Sequence, residues 1–359
     1  MPGGSRILRG VCPAPRPALL AVALAVVALM VPGCQGPGPP KADAPPHHLE
    51  RGFRNLNPEY ARPGLWTRWR FVIPRLLSSP RKASFPIVVN DGRALRENAG
   101  TATVTWVGHA TLLVQLDGVS ILTDPQWSER ASPLTWAGPK RVTPPAFRFE
   151  DLPPIDLVLI SHDHYDHLDA PTVKRLWATH RPRFLAPLGF KAWFTELGID
   201  GVDELDWWES RTVKGLTVVC APVQHWSARS LRDENRRLWA SWAVLGKDRR
   251  FYFAGDTGYY APIFREIGRR LGPFDLAAIP IGAYVPRALM LVSHLTPEQA
   301  LDVRDDVEAR RLVGIHWGTF DLAYEPLGEP PLRLRAEARQ RGLDPERIWV
   351  LRHGETRAW

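Results

Sequence analysis

Six consecutive residues, His162-Asp163-His164-Tyr165-Asp166-His167, set three imidazoles and two carboxylates directly after the apolar run Leu157-Val158-Leu159-Ile160. Imidazole and carboxylate are the ligands that catalytic zinc prefers. Placing so many polar groups beside a core strand is costly unless something organises them, and one metal ion or a pair is the simplest organiser. Three more apolar runs end the same way. Residues 218–223 lead into Gln224-His225, 251–254 into Gly255-Asp256-Thr257-Gly258, and 312–315 into His316-Trp317-Gly318. Singly, His225 reads as a half-buried histidine, Asp256 as a turn residue and His316 as a packed core histidine. Together, His162, His164, His167, His225 and His316 with Asp166 and Asp256 sit at four strand ends. That placement suits a rigid metal site with coordination positions left open to solvent.

The surrounding pattern shows what must hold these residues. Short strands are expected at 103–107, 112–116 and 119–123, the last two joined by Asp117-Gly118. Further apolar, β-prone runs lie at 156–160, 218–223, 251–254, 276–280 and 312–315. Helical stretches fall between them, at 171–180, 190–197 and 260–271. Thr296-Pro297-Glu298-Gln299 has the form of a capping box with proline in the first turn, opening a helix to about residue 310. A last helix over 332–341 is stopped by Gly342. Hairpins first, then strands alternating with helices, predict an α+β chain of packed sheets with helices outside.

Composition bounds the rest. The chain has 359 residues, 45% hydrophobic and 23% charged, with a formal charge of +8. The basic excess is spread along the chain with no dense Lys/Arg block, so a nucleic-acid partner is not indicated. Arg6, Arg9 and Arg16 precede an apolar stretch from Ala18 to Val31, too short for a comfortable membrane span. The sequence Val31-Pro32-Gly33-Cys34 that follows resembles a bacterial lipobox. On this reading residues 1–33 are a lipoprotein signal peptide and Cys34 is the lipidation site, an ordinary secretory signal or an uncleaved anchor being the alternatives. The mature protein is then lipid-anchored in the bacterial cell envelope, facing the periplasm or the exterior. Residues 34–48 are a Pro/Gly-rich tether, with His47 and His48 read as tether residues rather than ligands. Residues 49–100 are an irregular extension whose Phe53, Tyr60, Trp66, Trp69 and Phe71 are expected to pack onto the main domain at 101–359, a membrane-facing or substrate-facing role being the other reading. With Cys34 acylated, Cys220 has no partner and reads as a small buried apolar residue.

The ordered series of motifs resembles the metallo-β-lactamase fold superfamily, and within it the N-acylphosphatidylethanolamine-hydrolysing phospholipase D group. The matching stretches include Val104-Thr105-Trp106-Val107-Gly108-His109-Ala110-Thr111, Leu122-Thr123-Asp124-Pro125, Ser161-His162-Asp163-His164-Tyr165-Asp166-His167 and Gln224-His225-Trp226-Ser227. Ala254-Gly255-Asp256-Thr257-Gly258 and Gly314-Ile315-His316-Trp317-Gly318 complete them. The resemblance implies an αβ/βα four-layer sandwich with two zinc ions at its edge, iron or manganese being the alternatives. It implies that His162, His164 and His225 hold one ion, that Asp166, His167 and His316 hold the other, and that Asp256 bridges them. His109 then shapes a loop beneath the site. Asp166 would orient a water. His294, matching a family histidine near the substrate phosphate, would donate to the phosphate or protonate the leaving group. Tyr165 and Tyr284 are candidates for lining the substrate groove, with packing as their other role. The chain departs from the group at Val285, Ala288, Leu289 and Ser293, positions expected to contact substrate rather than metal.

The function implied is a membrane-tethered dizinc hydrolase acting on a phosphodiester or phospholipid. Two alternatives stay open: the same centre attacking a carbonyl, as in a lactonase or β-lactamase, and a non-catalytic surface lipoprotein with structural zinc. A homo-oligomer is compatible with the sequence, which fixes no subunit number. The lipobox has a direct test. Cys34→Ser is expected to move the protein from the membrane fraction to the soluble fraction, and unchanged fractionation would refute acylation there.

Overall fold

The computed structural model describes residues 39–41, 43–77, 81–230 and 232–359. The signal segment, Cys34 and the first part of the tether lie outside them. Two short strands, β1 (His48–Leu49) and β2 (Gly52–Phe53), pair as a small antiparallel hairpin. A first sheet follows from β3 (Thr103–Gly108), β4 (Thr111–Leu116), β5 (Val119–Thr123), β6 (Leu157–Leu159), β7 (Arg183–Pro187) and β8 (Val202–Leu205). A second is built from β9 (Ser210–Val213), β10 (Leu216–Ala221), β11 (Ser241–Leu245), β12 (Arg250–Phe253), β13 (Leu276–Pro280), β14 (Leu312–Ile315) and β15 (Ile348–Trp349). The last strand, β16 (Thr356–Ala358), returns to the first sheet. The strand orders are β16-β3-β4-β5-β6-β7-β8 and β15-β14-β13-β12-β11-β10-β9. Each sheet is antiparallel at its hairpin end and parallel from β5 to β8 and from β12 to β15.

Alternation along the strands of the first sheet divides its side chains between two faces. Val104, Trp106, Leu112, Val114, Ile121, Leu157 and Leu159 point into the core shared with the second sheet. Leu113, Leu122, Val158, Ile160 and Phe184 point the other way, against Val173, Leu176 and Phe194 of the helices Ala170–His180 and Lys191–Glu196. The outer face of the second sheet is covered by the helices Ala261–Leu271, Pro297–Asp306 and Glu329–Gln340, through Phe264, Ile267, Leu301 and Leu334. The result is the four-layer αβ/βα sandwich, with strands buried on both faces. Among the described residues no helix is long and apolar enough to cross a membrane.

The N-terminal part differs from its sequence reading. Residues 49–100 contain a 13-residue helix, Leu65–Leu77, and a short helix, Arg93–Arg96. The longer one has an amphipathic spacing that Pro74 and the dense arginines obscure. His47 is buried and belongs to the folded body, not to a free tether. Its Nε2 lies 2.7 Å from Asp206 Oδ1, and that of His48 lies 2.7 Å from Asp206 Oδ2. The Thr296 cap has both reciprocal bonds of the capping box.

The turns after the strands are tight where the polar residues gather. His109, Asp124, Ala283 and His316 all have positive φ, between 35° and 66°, a conformation that non-glycine residues hold only when their surroundings enforce it. Gly255, at φ 60°, passes so near the first sheet that a Cβ there would lie 2.5 Å from Ser161 Cβ. Gly255→Ala is therefore expected to destabilise the fold by about 1–3 kcal/mol, the range for enforced backbone strain. A chemical-denaturation midpoint equal to that of the parent would contradict this.

Candidate metal centre

The polar ends of β6, β10, β12 and β14 meet along one edge of the sandwich. His162 Nε2 lies 2.8 Å from His164 Nδ1, and His225 Nε2 lies 3.3 Å from the same Nδ1. A second group forms beside it. Asp166 Oδ2 stands 3.4 Å from His167 Nε2 and 3.5 Å from His316 Nε2. Asp256 Oδ2 lies between the groups, 3.2 Å from His167 Nε2, 3.1 Å from His316 Nε2 and 4.0 Å from His225 Nε2. All seven residues singled out in the sequence are thus gathered, in the two groups expected.

The bonds on the far side of each ring determine which nitrogen faces inward. His225 Nδ1 donates to the Ser293 carbonyl at 2.9 Å. His167 Nδ1 donates to Asp124 Oδ2 at 2.7 Å. Ser161 Oγ donates to Asp124 Oδ2 at 2.6 Å, so it accepts from His162 Nδ1 at 2.9 Å. Each bond turns the Nε2 lone pair of its ring toward the cluster, the arrangement by which outer partners fix metal-ligating histidines. Asp124 is fully buried and also accepts from Ser161 N, at 2.7 Å.

The unpaired groups test whether a metal fits. His164 Nε2, His167 Nε2, both ring nitrogens of His316, His294 Nδ1 and Asp256 Oδ1 are buried without a hydrogen-bond partner among the described residues. Each such group costs about 1–3 kcal/mol if left unmet. Two divalent ions would satisfy the inward-facing atoms at once, and the histidine/carboxylate donor set suits zinc. The electrostatics differ between the two groups. Burial lowers the pKa of His162 and His225, and takes that of His164 to about 3, which keeps their lone pairs free. His316 is held at about 9 and His167 is also raised: burial alone would lower both, but Asp256 and Asp166 outweigh it, so each would release a proton on binding an ion. Both carboxylates stay ionised against the cost of burial, because His167 and its neighbours face them.

Several site residues carried no signal, or a weak one, in the sequence. His109 is closer in than a loop support, since its Nε2 bonds Asp166 Oδ2 at 2.9 Å and its ring packs on His316 at 4.0 Å. Asp163, inside the six-residue motif, faces away from the cluster and pairs with Arg237 at 3.0 Å. Asn55, far upstream, clasps the backbone of His225. Its Nδ2 donates to the His225 carbonyl at 2.8 Å and its Oδ1 accepts from His225 N at 3.0 Å. Asn57 donates to Gln224 Oε1 at 2.7 Å, and Tyr60 meets Ser293 Oγ at 3.3 Å. Of the two roles open to the tyrosines, the hydroxyl bonds favour packing. Tyr165 donates its hydroxyl to the Arg229 carbonyl at 2.9 Å and stacks under that guanidinium. Tyr284 is 1% exposed and donates to Glu329 Oε1 at 2.8 Å. Both hydroxyls are engaged, and the ring of Tyr165 stays half-buried. His294 does reach the cluster, its Nδ1 3.7 Å from Asp256 Oδ2.

Comparison with known proteins gives the same picture. A family model described as a β-lactamase superfamily domain matches residues 120–317. An uncharacterised protein of Mycobacterium tuberculosis is 42% identical over 313 residues, covering 85% of this chain and 82% of the other. The chain belongs to the metallo-β-lactamase superfamily. With its histidine/aspartate cluster, it is a metal-dependent hydrolase of that superfamily. It is also 51% identical, over 228 residues, to an N-acyl-phosphatidylethanolamine-hydrolyzing phospholipase D 1 of Caenorhabditis elegans, a match that covers 61% of this chain and 64% of the nematode protein. Among solved structures it is similar to an isothiocyanate hydrolase from Delia radicum gut bacteria, with a TM-score of 0.57, 21% identity and coverage of 72% and 98%. That likeness is one of fold.

Asn55 gives a sharp test of the outer support in this superfamily member. Asn55→Ala leaves every inward-facing group in place but frees the backbone of His225. Metal affinity is expected to fall about 10–100-fold, as for other outer partners of ligands, read by chelator competition. An unchanged affinity would show that His225 holds its position without the N-terminal segment.

Proposed function

We propose that this chain is a dinuclear zinc hydrolase that cleaves a phosphodiester, with N-acylphosphatidylethanolamine-like phospholipids as its substrate class. The observation that carries the reading is the position of Asp256 Oδ2, one carboxylate oxygen within 4.0 Å of an imidazole from each group. His162, His164 and His225 would hold one ion, Asp166, His167 and His316 the other, with Asp256 shared. Two zinc ions so placed would lower the pKa of a water between them and offset charge on the phosphoryl oxygens.

The remaining work falls to the chain's own groups. Asp166 is held through Oδ2 by His109, which leaves Oδ1 to orient a water toward phosphorus. Burial takes the pKa of His294 to about 4 despite the neighbouring Asp256. At neutral pH it is therefore an uncharged imidazole, suited to donating a hydrogen bond to a phosphoryl or leaving oxygen. The rim supports a lipid. The helix Leu65–Leu77 rests on the loop after β14 through Phe71 and Tyr324, whose rings lie 5.0 Å apart. It also reaches the loop after β10 through Arg68 and Glu234 at 3.8 Å. Trp66 on this helix is 79% exposed, and Trp136, on the loop that bridges to Phe320, is 65% exposed. Large aromatic groups exposed on segments that join the loops carrying His225 and His316 suit a membrane interface. Anchoring through Cys34 would keep the chain at the envelope membrane. The nematode relative and a mitochondrial yeast relative, 36% identical over 259 residues, are both named as phospholipases of this type.

The experiment is a product-release assay with metal-loaded protein, across phosphodiesters, lactones and β-lactams. Release from N-acylphosphatidylethanolamine is expected to exceed any lactone or β-lactam turnover, and the reverse order would overturn the reading. In the same assay His294→Ala is expected to lower kcat about 100-fold or more while metal content stays at the parent level. Loss of metal in that variant would reassign His294 as a ligand.

A further inference from the structure

We propose that His47, His48 and Asp206 form a separate metal-binding site for one divalent transition ion of the zinc, cobalt or nickel type. The two histidines are consecutive, yet both send Nε2 to a single carboxylate, each 2.7 Å from a different oxygen. One ligand atom from each of the three residues falls within 4.8 Å of the other two. Consecutive side chains in an extended strand point to opposite faces. Here a turn, in which His48 N donates to the Pro45 carbonyl at 2.9 Å, brings the rings together with centroids 4.5 Å apart.

The surroundings fix those rings. His47 stacks on Trp207 at 4.2 Å, and His48 meets the edge of Phe53 at 5.2 Å. Asp206 is set by its own turn, where Trp207 N donates to Oδ1 at 2.7 Å and Asp206 N donates to Glu209 Oε2 at 2.8 Å. The ligands are thus oriented before any ion arrives, which reduces the ordering cost of binding. Side-chain exposure is 5% for His47, 18% for His48 and 15% for Asp206. One side is therefore open for water to complete the coordination. Two imidazoles with one carboxylate and open positions suit zinc and its neighbours. The same set disfavours magnesium and calcium, which take oxygen ligands.

The site is independent of the reading given to the strand-end centre. Its consequence is mechanical: an ion there would pin the chain a few residues before Asn55, the residue that clasps His225. Two N–H···O bonds to Asp206 are the competing account, and stoichiometry separates the two. Full-length protein, stripped by chelator, would be titrated with Co2+ alongside H48Q and D206N. H48Q keeps an N–H donor for the carboxylate but lacks the imidazole. Each variant is expected to bind one equivalent fewer than the parent, with folding checked by circular dichroism. Equal uptake by the parent and a folded variant would overturn the proposal. A readout without substitution is anomalous scattering at the cobalt edge from parent crystals grown with Co2+. A peak between the three side chains is expected, and its absence would equally overturn the site.

Discussion

Asp256 carries the central electrostatic constraint of this molecule. Its side chain is almost fully buried, yet Oδ2 lies within 4.0 Å of four imidazoles, those of His167, His225, His294 and His316. A carboxylate buried at this depth stays charged only if its neighbours offset the loss of water. The imidazoles do so in part, and two cations would do so fully. The architecture serves that arrangement. β6 supplies the six-residue motif from one sheet, while β10, β12 and β14 supply His225, Asp256 and His316 from the other. Only a fold that ends strands of both sheets at a common edge can bring these side chains within a few ångströms. The positive φ values at His109, Asp124 and His316 show that the backbone yields locally to make the ends meet.

Outside the ligands a layer of ordinary polar residues settles the tautomers. Asp124 serves His167 directly and His162 through Ser161, so one buried carboxylate orients two rings. The Ser293 carbonyl orients a third. His109 holds Asp166 from below, and Thr319 Oγ1 in turn accepts from His109 N at 2.7 Å. None of these residues need touch a metal, yet each decides which lone pair is offered to it.

The ligands were legible in the sequence because each stands at the end of an apolar run, and a run of four or five β-prone residues announces its own strand. β13 and β14 match their expected bounds. β7, β8, β9, β11, β15 and β16 were not foreseen: β8 and β9 are edge strands whose Asp203, Glu204 and Arg211 interrupt the apolar pattern, as edges tolerate, whereas β11, β15 and β16 are short runs of two to five residues. Asn55 and His109 escaped for a different reason. Their roles rest on one hydrogen bond or two across a long sequence separation, and no local periodicity records that. Tyr165 and Tyr284 show the converse, since proximity to a motif said nothing of where their hydroxyls would be used. The fold-setting information is periodic and local, whereas the outer support of the site is neither.

Asn55 also bears on where this protein begins and ends as a physical object. The stretch matched by the family model, residues 120–317, contains all seven gathered side chains but omits Asn55, His109, β3, β4 and β16. An excised piece with those limits would lack interior strands of one sheet and the clasp behind His225. The bonds that support this centre reach back to Asn55, and the sheet that carries it is completed by β16. The strand that completes the first sheet is therefore supplied from the far end of the chain, by β16 against β3.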